Sequence, residues 1–269
     1  MGRFTKDKRD IYYRKAKEEG FRARSAYKLL QLDEELQILS NVTRAVDLCA
    51  APGSWSQVLR QRIPLLPDLV QLVAVDLQEM APLQGVVQIQ GDITKEDTAE
   101  RVISQFQGEK ADIVVCDGAP DVTGLHELDQ YIQGQLVLAA LNITTHLLKN
   151  NGTFVAKIFR GRDIQLLYSQ VKLFFQHVTV AKPKSSRNSS VESFIVGQGY
   201  SPPSAFHPGP LSTWNFRQPV LSDGHNWGIP VPFLSCGDLS NLDADMSYPA
   251  LGEALQPVTP PIAPPYAPN

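Results

Sequence analysis

Between residues 43 and 197 short β-rich runs alternate with helical runs, and this alternation constrains the fold more than any other feature of the chain. TRAVDLCA, QLVAVDL, GVVQIQGD, ADIVVCDG, TFVAKIF, HVTVAK and SFIVGQ are rich in Val and Ile and apolar on both faces. Gly, Asp or Pro bounds them, as expected of buried strands. Between them SWSQVLRQRI, TAERVISQF, LDQYIQGQLVLAALNITTHLLK and DIQLLYSQVKLFF carry apolar residues at helical spacing. Asn151-Gly152 reads as the stop of the long helix. Buried strands alternating with helices predict an α/β fold built on a mostly parallel, doubly wound sheet.

This α/β unit is expected over residues 41–199. Ahead of it, DIYYRKAKEEGFRARSAYKLLQLDEEL reads as one or two basic helices within an extension over 1–40. Behind it composition changes: 14 of the 20 prolines lie in 198–269. Residues 200–269 are therefore expected to be an extended or partly disordered tail, either loosely packed or a docking segment for a partner. NWGIPVPFLSCGDLS, within it, holds enough apolar residues to pack on the domain.

The net charge of −3 conceals an asymmetry. Residues 1–35 hold ten Lys/Arg against seven Asp/Glu, and 157–197 hold seven against two. The span 36–156 holds seven against fourteen. Two basic segments flanking an acidic middle are compatible with a polyanionic partner or with plain solvated faces. No run approaches the length of a membrane span, and no apolar stretch follows the charged N-terminus as in a secretory leader. Cys49, Cys116 and Cys236 are too far apart for a disulfide framework or zinc ribbon, so a reducing, cytoplasmic setting is expected. The five histidines show no ligand spacing, and no metal is expected.

In an open parallel sheet ligands sit beyond the carboxyl ends of the strands. The first strand runs into Asp47, then the small-residue turn Ala51-Pro52-Gly53 and Ser54-Trp55. The turn has a single glycine and no GxGxxG, which disfavours a pyrophosphate cofactor. Later strands end at Asp76-Leu77, Asp92-Ile93 and Asp117. Acidic residues at four strand ends suit a cationic adenosine-containing ligand without phosphate, such as S-adenosylmethionine, although Asp47 and Asp92 could equally be helix caps. Lys157 falls in a strand expected to be buried, where an unpaired ammonium is costly. Lys28 sits on the N-terminal helical segment among apolar neighbours, and Glu192 opens the last strand. Singly, each of these also fits an ordinary structural role.

Taken together these segments resemble the FtsJ/RrmJ family of S-adenosylmethionine-dependent RNA ribose 2′-O-methyltransferases, over roughly residues 1–200. The resemblance rests on SAYKLL, VDLCAAPGSWSQVL, VCDGAPDVTG, VAKIFRG and SSRNSSVESF. It implies the Rossmann-like methyltransferase fold, with a mostly parallel seven-stranded sheet and helices on both faces. It also implies a Lys-Asp-Lys-Glu tetrad of Lys28, Asp117, Lys157 and Glu192. The cofactor site implied comprises Asp47, Ala51, Pro52, Gly53, Ser54, Trp55, Asp76, Leu77, Asp92, Ile93 and Asp117. MGRFTKDKRDIYYRKAKEEGFRARSAYKLLQLDEE, CDGAPDVTGLHELDQY and KPKSSRNSSVESF are similar to the eukaryotic cytosolic tRNA anticodon-loop branch. That similarity implies methylation of the wobble ribose and of the ribose two nucleotides before it. It further implies partner subunits, one a large helical-repeat protein and one a WD-repeat propeller.

A ribose 2′-hydroxyl must lose its proton as it attacks, so Lys157 is the expected general base, with Lys28, Asp117 and Glu192 orienting it. Burial and Lys28 would lower the Lys157 pKa while the carboxylates would raise it, and sequence leaves that balance open. For RNA, Lys6, Lys8, Arg9, Arg22 and Arg24 are interleaved with Phe4, Tyr12, Tyr13 and Phe21, a mixture able to meet phosphates and stack on unpaired bases. Arg160, Lys182, Lys184 and Arg187 form a second basic group at the same sheet end as Lys157. A ribosomal-RNA or mRNA-cap 2′-O-methyltransferase, or a non-catalytic RNA-binding subunit, remains an alternative. The missing glycines make a nicotinamide-dependent dehydrogenase a poor fit.

Overall fold

The computed structural model describes residues 10–64, 66, 69–120, 123–161, 164–204, 206–208, 231–237 and 244–245. Eight strands form one sheet: β1 (Ala45–Leu48), β2 (Leu72–Asp76), β3 (Val87–Gln90), β4 (Ala111–Cys116), β5 (Leu148–Phe159), β6 (Phe175–Pro183), β7 (Glu192–Tyr200) and β8 (Phe233–Cys236). Their order is β3-β2-β1-β4-β5-β7-β6-β8. All neighbours run parallel except β7, which is antiparallel to both β5 and β6. The central runs AVDL and ADIVVC are buried at every position because helices cover both faces. Strand order reverses between β1 and β4, so the crevice beyond their carboxyl ends is where this architecture holds ligands.

Helices α1 (Ile11–Glu18), α2 (Ala26–Leu36) and α3 (Ser54–Arg62) share one core with the sheet, in which Tyr12, Phe21 and Leu29 meet Trp55, Val155 and Phe194. On the other face α4 (Glu96–Gln105), α5 (His126–Leu147) and α6 (Ile164–Lys172) pack against Val114, Phe154 and Ile158. Alternation along β5 divides Val155 and Lys157 from Phe154, Ala156 and Ile158, so Lys157 points toward α2. Asp10 caps α1, its Oδ1 accepting from the Tyr12 and Tyr13 amides at 3.0 and 3.2 Å.

Three expectations are corrected. Tyr12 and Phe21 are core residues, so the basic and aromatic interleaving over the described residues 10–24 is amphipathic packing. The long helix ends at Leu147, with Leu148 already extended, and Asn151 rather than Gly152 takes the left-handed turn, inside β5. The sheet has one strand more than the seven expected, because PFLSC returns as β8 beside β6. Most of the proline-rich tail lies outside the described residues.

Candidate active site

Four elements far apart in sequence bring Lys28, Asp117, Lys157 and Glu192 together. α2 supplies Lys28, the turn after β4 supplies Asp117, β5 supplies Lys157 and the first position of β7 supplies Glu192. Antiparallel pairing sets the last two in register, with Lys157 opposite Phe194 and Phe159 opposite Glu192. Lys28 Nζ donates to Glu192 Oε2 at 2.8 Å and lies 3.9 Å from Asp117 Oδ1. Lys157 Nζ lies 3.2 Å from Asp117 Oδ1 and donates to the main-chain oxygen of Asp117 at 2.6 Å. All four side chains are largely buried. Two ammoniums against two carboxylates make the cluster neutral, which lets it persist away from water.

The electrostatic balance that sequence left open is set by this geometry. Burial pulls Lys157 downward, but Asp117 and Glu192 outweigh it, and its pKa stands above the ordinary lysine value. Burial pushes Glu192 up, yet the Lys28 and Lys157 charges prevail and hold it at about 2. Both groups are ionised near neutral pH in the free protein.

Residues not anticipated from sequence hold the cluster in place. Ser186 Oγ donates to Glu192 Oε1 at 2.6 Å. Gln133, buried on α5, donates from Nε2 to Lys157 O at 2.7 Å and Gly118 O at 3.1 Å, tying β5 to the turn after β4. An amide among the apolar residues of a long helix was the only local signal for it. The loop 184–190 is anchored on three sides. Gln31 Oε1 accepts from the Ser185 amide at 2.9 Å, the Cys236 carbonyl from the Lys184 amide at 2.8 Å, and Asp245 Oδ2 from the Asn188 amide at 2.7 Å.

Beside the cluster, Ala51, Pro52 and Gly53 form the turn from β1 to α3. Gly53 has φ +104°, and a Cβ there would stand 2.7 Å from Arg22 Nη1, so both conformation and space call for glycine. Asp76 closes β2, its Oδ2 accepting from the Ala51 amide at 2.9 Å and its Oδ1 from the Gln78 amide at 2.8 Å. Each oxygen keeps a free lone pair for a ligand hydroxyl. Leu77 is exposed next to it, and Asp92 is held by the Thr94 amide and hydroxyl at 2.9 and 2.8 Å. Asp47 is buried, donor Ser56 Oγ lies 2.6 Å from its Oδ2, and Oδ1 is buried without a hydrogen-bond partner. Burial, reinforced by Asp117 and Asp76 against the Ser56 hydrogen bond, pushes its pKa up to about 7.

Other site candidates point elsewhere. The Trp55 ring is buried against Phe194 with Nε1 donating to Ser25 O at 2.8 Å, and Ser54 Oγ meets Ser25 Oγ at 2.6 Å. Their side chains face α2, leaving only main-chain atoms for a cofactor. Ile93 belongs to the core on the α4 side. Arg22, expected at an RNA surface, is buried. Its Nη1 donates to Ala81 O at 2.9 Å and Pro52 O at 3.1 Å, and its Nη2 to Pro82 O at 2.8 Å. Arg24 pairs with Asp10 and donates to Ser185 O. Lys182 Nζ donates to the carbonyls of Ser190 at 2.8 Å and Glu192 at 3.0 Å. Arg187 lies 3.3 Å from Asp10. Arg160 is exposed and Lys184 half-buried, while Lys6, Lys8 and Arg9 lie outside the described residues. Cys49 sits in a left-handed turn just past β1, rather than within a strand, beside the buried Cys116.

Among the described residues no group of three or more His, Cys, Asp or Glu side chains converges to hold a metal ion. No described helix is long and apolar enough to cross a membrane.

Comparison with known proteins agrees with this architecture. Residues 21–200 match the FtsJ-like methyltransferase family. The chain is 61% identical to the human tRNA (cytidine(32)/guanosine(34)-2′-O)-methyltransferase over 93% of its own length and 76% of that protein. It is 51% identical to the tRNA (guanosine(34)-2′-O)-methyltransferase of Drosophila melanogaster, over 99% of its length and 86% of that protein. Among solved structures, a ribosomal RNA methyltransferase from Plasmodium falciparum superposes with a TM-score of 0.59 at 26% identity. That superposition covers 67% of this chain and 98% of the other. The chain belongs to the FtsJ-like methyltransferase family.

Proposed function

We propose that this protein transfers a methyl group from S-adenosylmethionine to ribose 2′-hydroxyls in the anticodon loop of tRNA, at nucleotide 34, nucleotide 32 or both. The observation that carries the chemistry is the neutral Lys28-Asp117-Lys157-Glu192 cluster beside the acidic crevice of Asp47 and Asp76. Support for the substrate comes from relatives that cover the chain almost end to end and bear tRNA-modifying names.

The crevice suits this cofactor. Asp76 can accept from both ribose hydroxyls, and the glycine turn lets main chain approach closely. A ligand carrying positive charge would favour the ionised form of the buried Asp47 carboxyl, whose Oδ1 has no hydrogen-bond partner. When bound, S-adenosylmethionine supplies an electrophilic methyl carbon on a sulfonium.

Lys157 takes the 2′-hydroxyl proton at Nζ as the oxygen attacks, which requires Lys157 to be neutral at that moment. Asp117 fixes the direction of Nζ through its side chain and its carbonyl oxygen. Lys28 and Glu192 neutralise each other and wall the site, and Lys28 Nζ, 5.8 Å from the Phe194 ring centre, is held on an apolar floor. A positioned base of this kind contributes about 10²–10⁴ in rate.

RNA would approach across the sheet end that carries Arg160, Lys184 and Arg187. The helical-repeat and WD-repeat partner subunits and a cytoplasmic location are part of the same reading, supported by resemblance to the anticodon-loop branch. The test is tritiated methyl transfer to tRNA from cells lacking this protein, with ribose-methylation mapping and each partner subunit added in turn. Methylation at 34 or 32 that disappears in Lys157→Ala, while cofactor binding persists, is the expected result. Methylation of ribosomal RNA or capped mRNA instead would overturn the tRNA assignment.

A further inference from the structure

Arg160 and Phe233 meet at the edge of the sheet, in a region that the tetrad does not use. Phe233 opens β8 and is 51% exposed, while Leu234 and Cys236 on the other face of the strand are half-buried and buried. The Arg160 guanidinium carbon lies 5.2 Å from the centre of that ring. Among the described residues no carboxylate or carbonyl engages the guanidinium. An exposed ring with a cation over it is a flat, positively charged platform at the surface.

Its position is tied to the active site. Arg160 follows Lys157 by three residues, and its amide donates to Val191 O at 2.9 Å, next to Glu192. Lys182, which feels the charges of Arg160, Glu192 and Lys28, links the platform to the tetrad. Phe233 pairs in register with Val180 on β6, so the platform lies on the α6 face of the sheet, opposite the face of Lys157, with β7 and β6 between β8 and β5. Exposed aromatic rings and guanidinium planes stack on unpaired bases, and positive charge suits the phosphates on either side.

We propose that Phe233 and Arg160 form a stacking site for an unpaired nucleobase of the substrate RNA a few nucleotides from the target ribose. The inference rests on the RNA-methylating reading above and adds to it a specificity-determining contact made by the segment after residue 200. A splayed base stacked here fixes how far the strand is drawn past Lys157, and hence which ribose lies over the base.

The test uses the full-length protein and an anticodon stem-loop RNA carrying 2-aminopurine at single loop positions. Quenching of 2-aminopurine on binding reports stacking, and anisotropy gives the affinity. Phe233→Leu keeps an apolar side chain and removes the ring face, and Phe233→Trp restores a face. We expect Phe233→Leu to weaken binding about ten-fold and abolish quenching at one loop position, with Trp rescuing both. Arg160→Gln should reduce both. An unchanged melting temperature and cofactor affinity in Phe233→Leu show that the fold is intact. Equal RNA affinity and equal quenching in wild type and Phe233→Leu overturn the proposal. Loss of binding to a WD-repeat subunit with RNA binding unchanged also overturns it, and assigns the surface to a protein interface. Quenching is read without turnover, so wild type that stacks the RNA yet never methylates it sinks the functional reading and leaves the stacking site standing.

Discussion

Ser186 Oγ and Lys28 Nζ grip opposite oxygens of the Glu192 carboxylate, at 2.6 and 2.8 Å, and thereby fix its plane. Only the lysine adds charge; the serine orients the carboxylate and helps to hold it ionised. Ser186→Ala should lower kcat about ten- to hundred-fold, the worth of one hydrogen bond to a charged group, with cofactor affinity unchanged. Ser186→Thr should restore the rate. Single-turnover methyl transfer measures this, and a wild-type rate in the alanine variant would remove Ser186 from the positioning set.

The raised pKa of Lys157 has a direct kinetic consequence. Only the neutral amine accepts a proton, so kcat should climb with pH through and above neutrality. Withdrawing one negative charge in Glu192→Gln should move the limb to lower pH by about one unit in whatever activity remains. The sign for stability is opposite. Pairing that raises a lysine pKa stabilises the fold below the ordinary lysine value and is lost as pH climbs through the raised one. A pH–rate profile of both proteins decides the matter, and coincident limbs would refute the coupling.

Asp47 should make the free protein less stable on the alkaline side. Its folded pKa of about 7 lies above the ordinary aspartate value, so the folded state binds the proton more tightly. Its contribution to stability is therefore greatest below about pH 4 and declines as pH rises through 7. Asp47→Asn should flatten that decline between pH 5 and pH 8, read as the difference in melting temperature between the two proteins at each pH.

Arg22 joins the carbonyls of Pro52, Ala81 and Pro82, and so clips the turn after β1 to the loop after β2. Lysine cannot reach three acceptors with a planar fork. Arg22→Lys should weaken S-adenosylmethionine binding about ten-fold by calorimetry, leaving those carbonyls poorly paired. RNA affinity should hardly move. The reverse pattern would return Arg22 to the RNA surface.

What sequence made legible follows from the range of the forces involved. Runs such as LVAVD and ADIVVC announce their burial locally, so the sheet and its helices could be read residue by residue. Lys157 stood out because an ammonium in such a run needs partners. The fate of Arg22 was illegible because its acceptors lie 30 to 60 residues away, and a guanidinium near the N-terminus looks the same whether it meets carbonyls or solvent. β8 was obscured by its surroundings: four residues preceded by Pro230 and Pro232 and followed by Gly237 do not carry a strand signal, and it forms because the β6 edge offers unpaired main chain. The pKa of Lys157 depended on which of several charges lay nearest, a matter of ångströms that spacing along a chain does not encode.

The return of β8 to the sheet also makes the protein sensitive to its own completion. A chain released by the ribosome before Cys236 would contain every motif from Lys28 to Glu192. It would nevertheless leave the edge of β6 bare and the Lys184 amide without its acceptor. Such a chain is a candidate for aggregation and clearance rather than a partly working enzyme, because an uncovered strand edge recruits other strands. The segment that completes the edge of the sheet at β8 thus also supplies the Cys236 carbonyl that anchors the loop carrying Ser186.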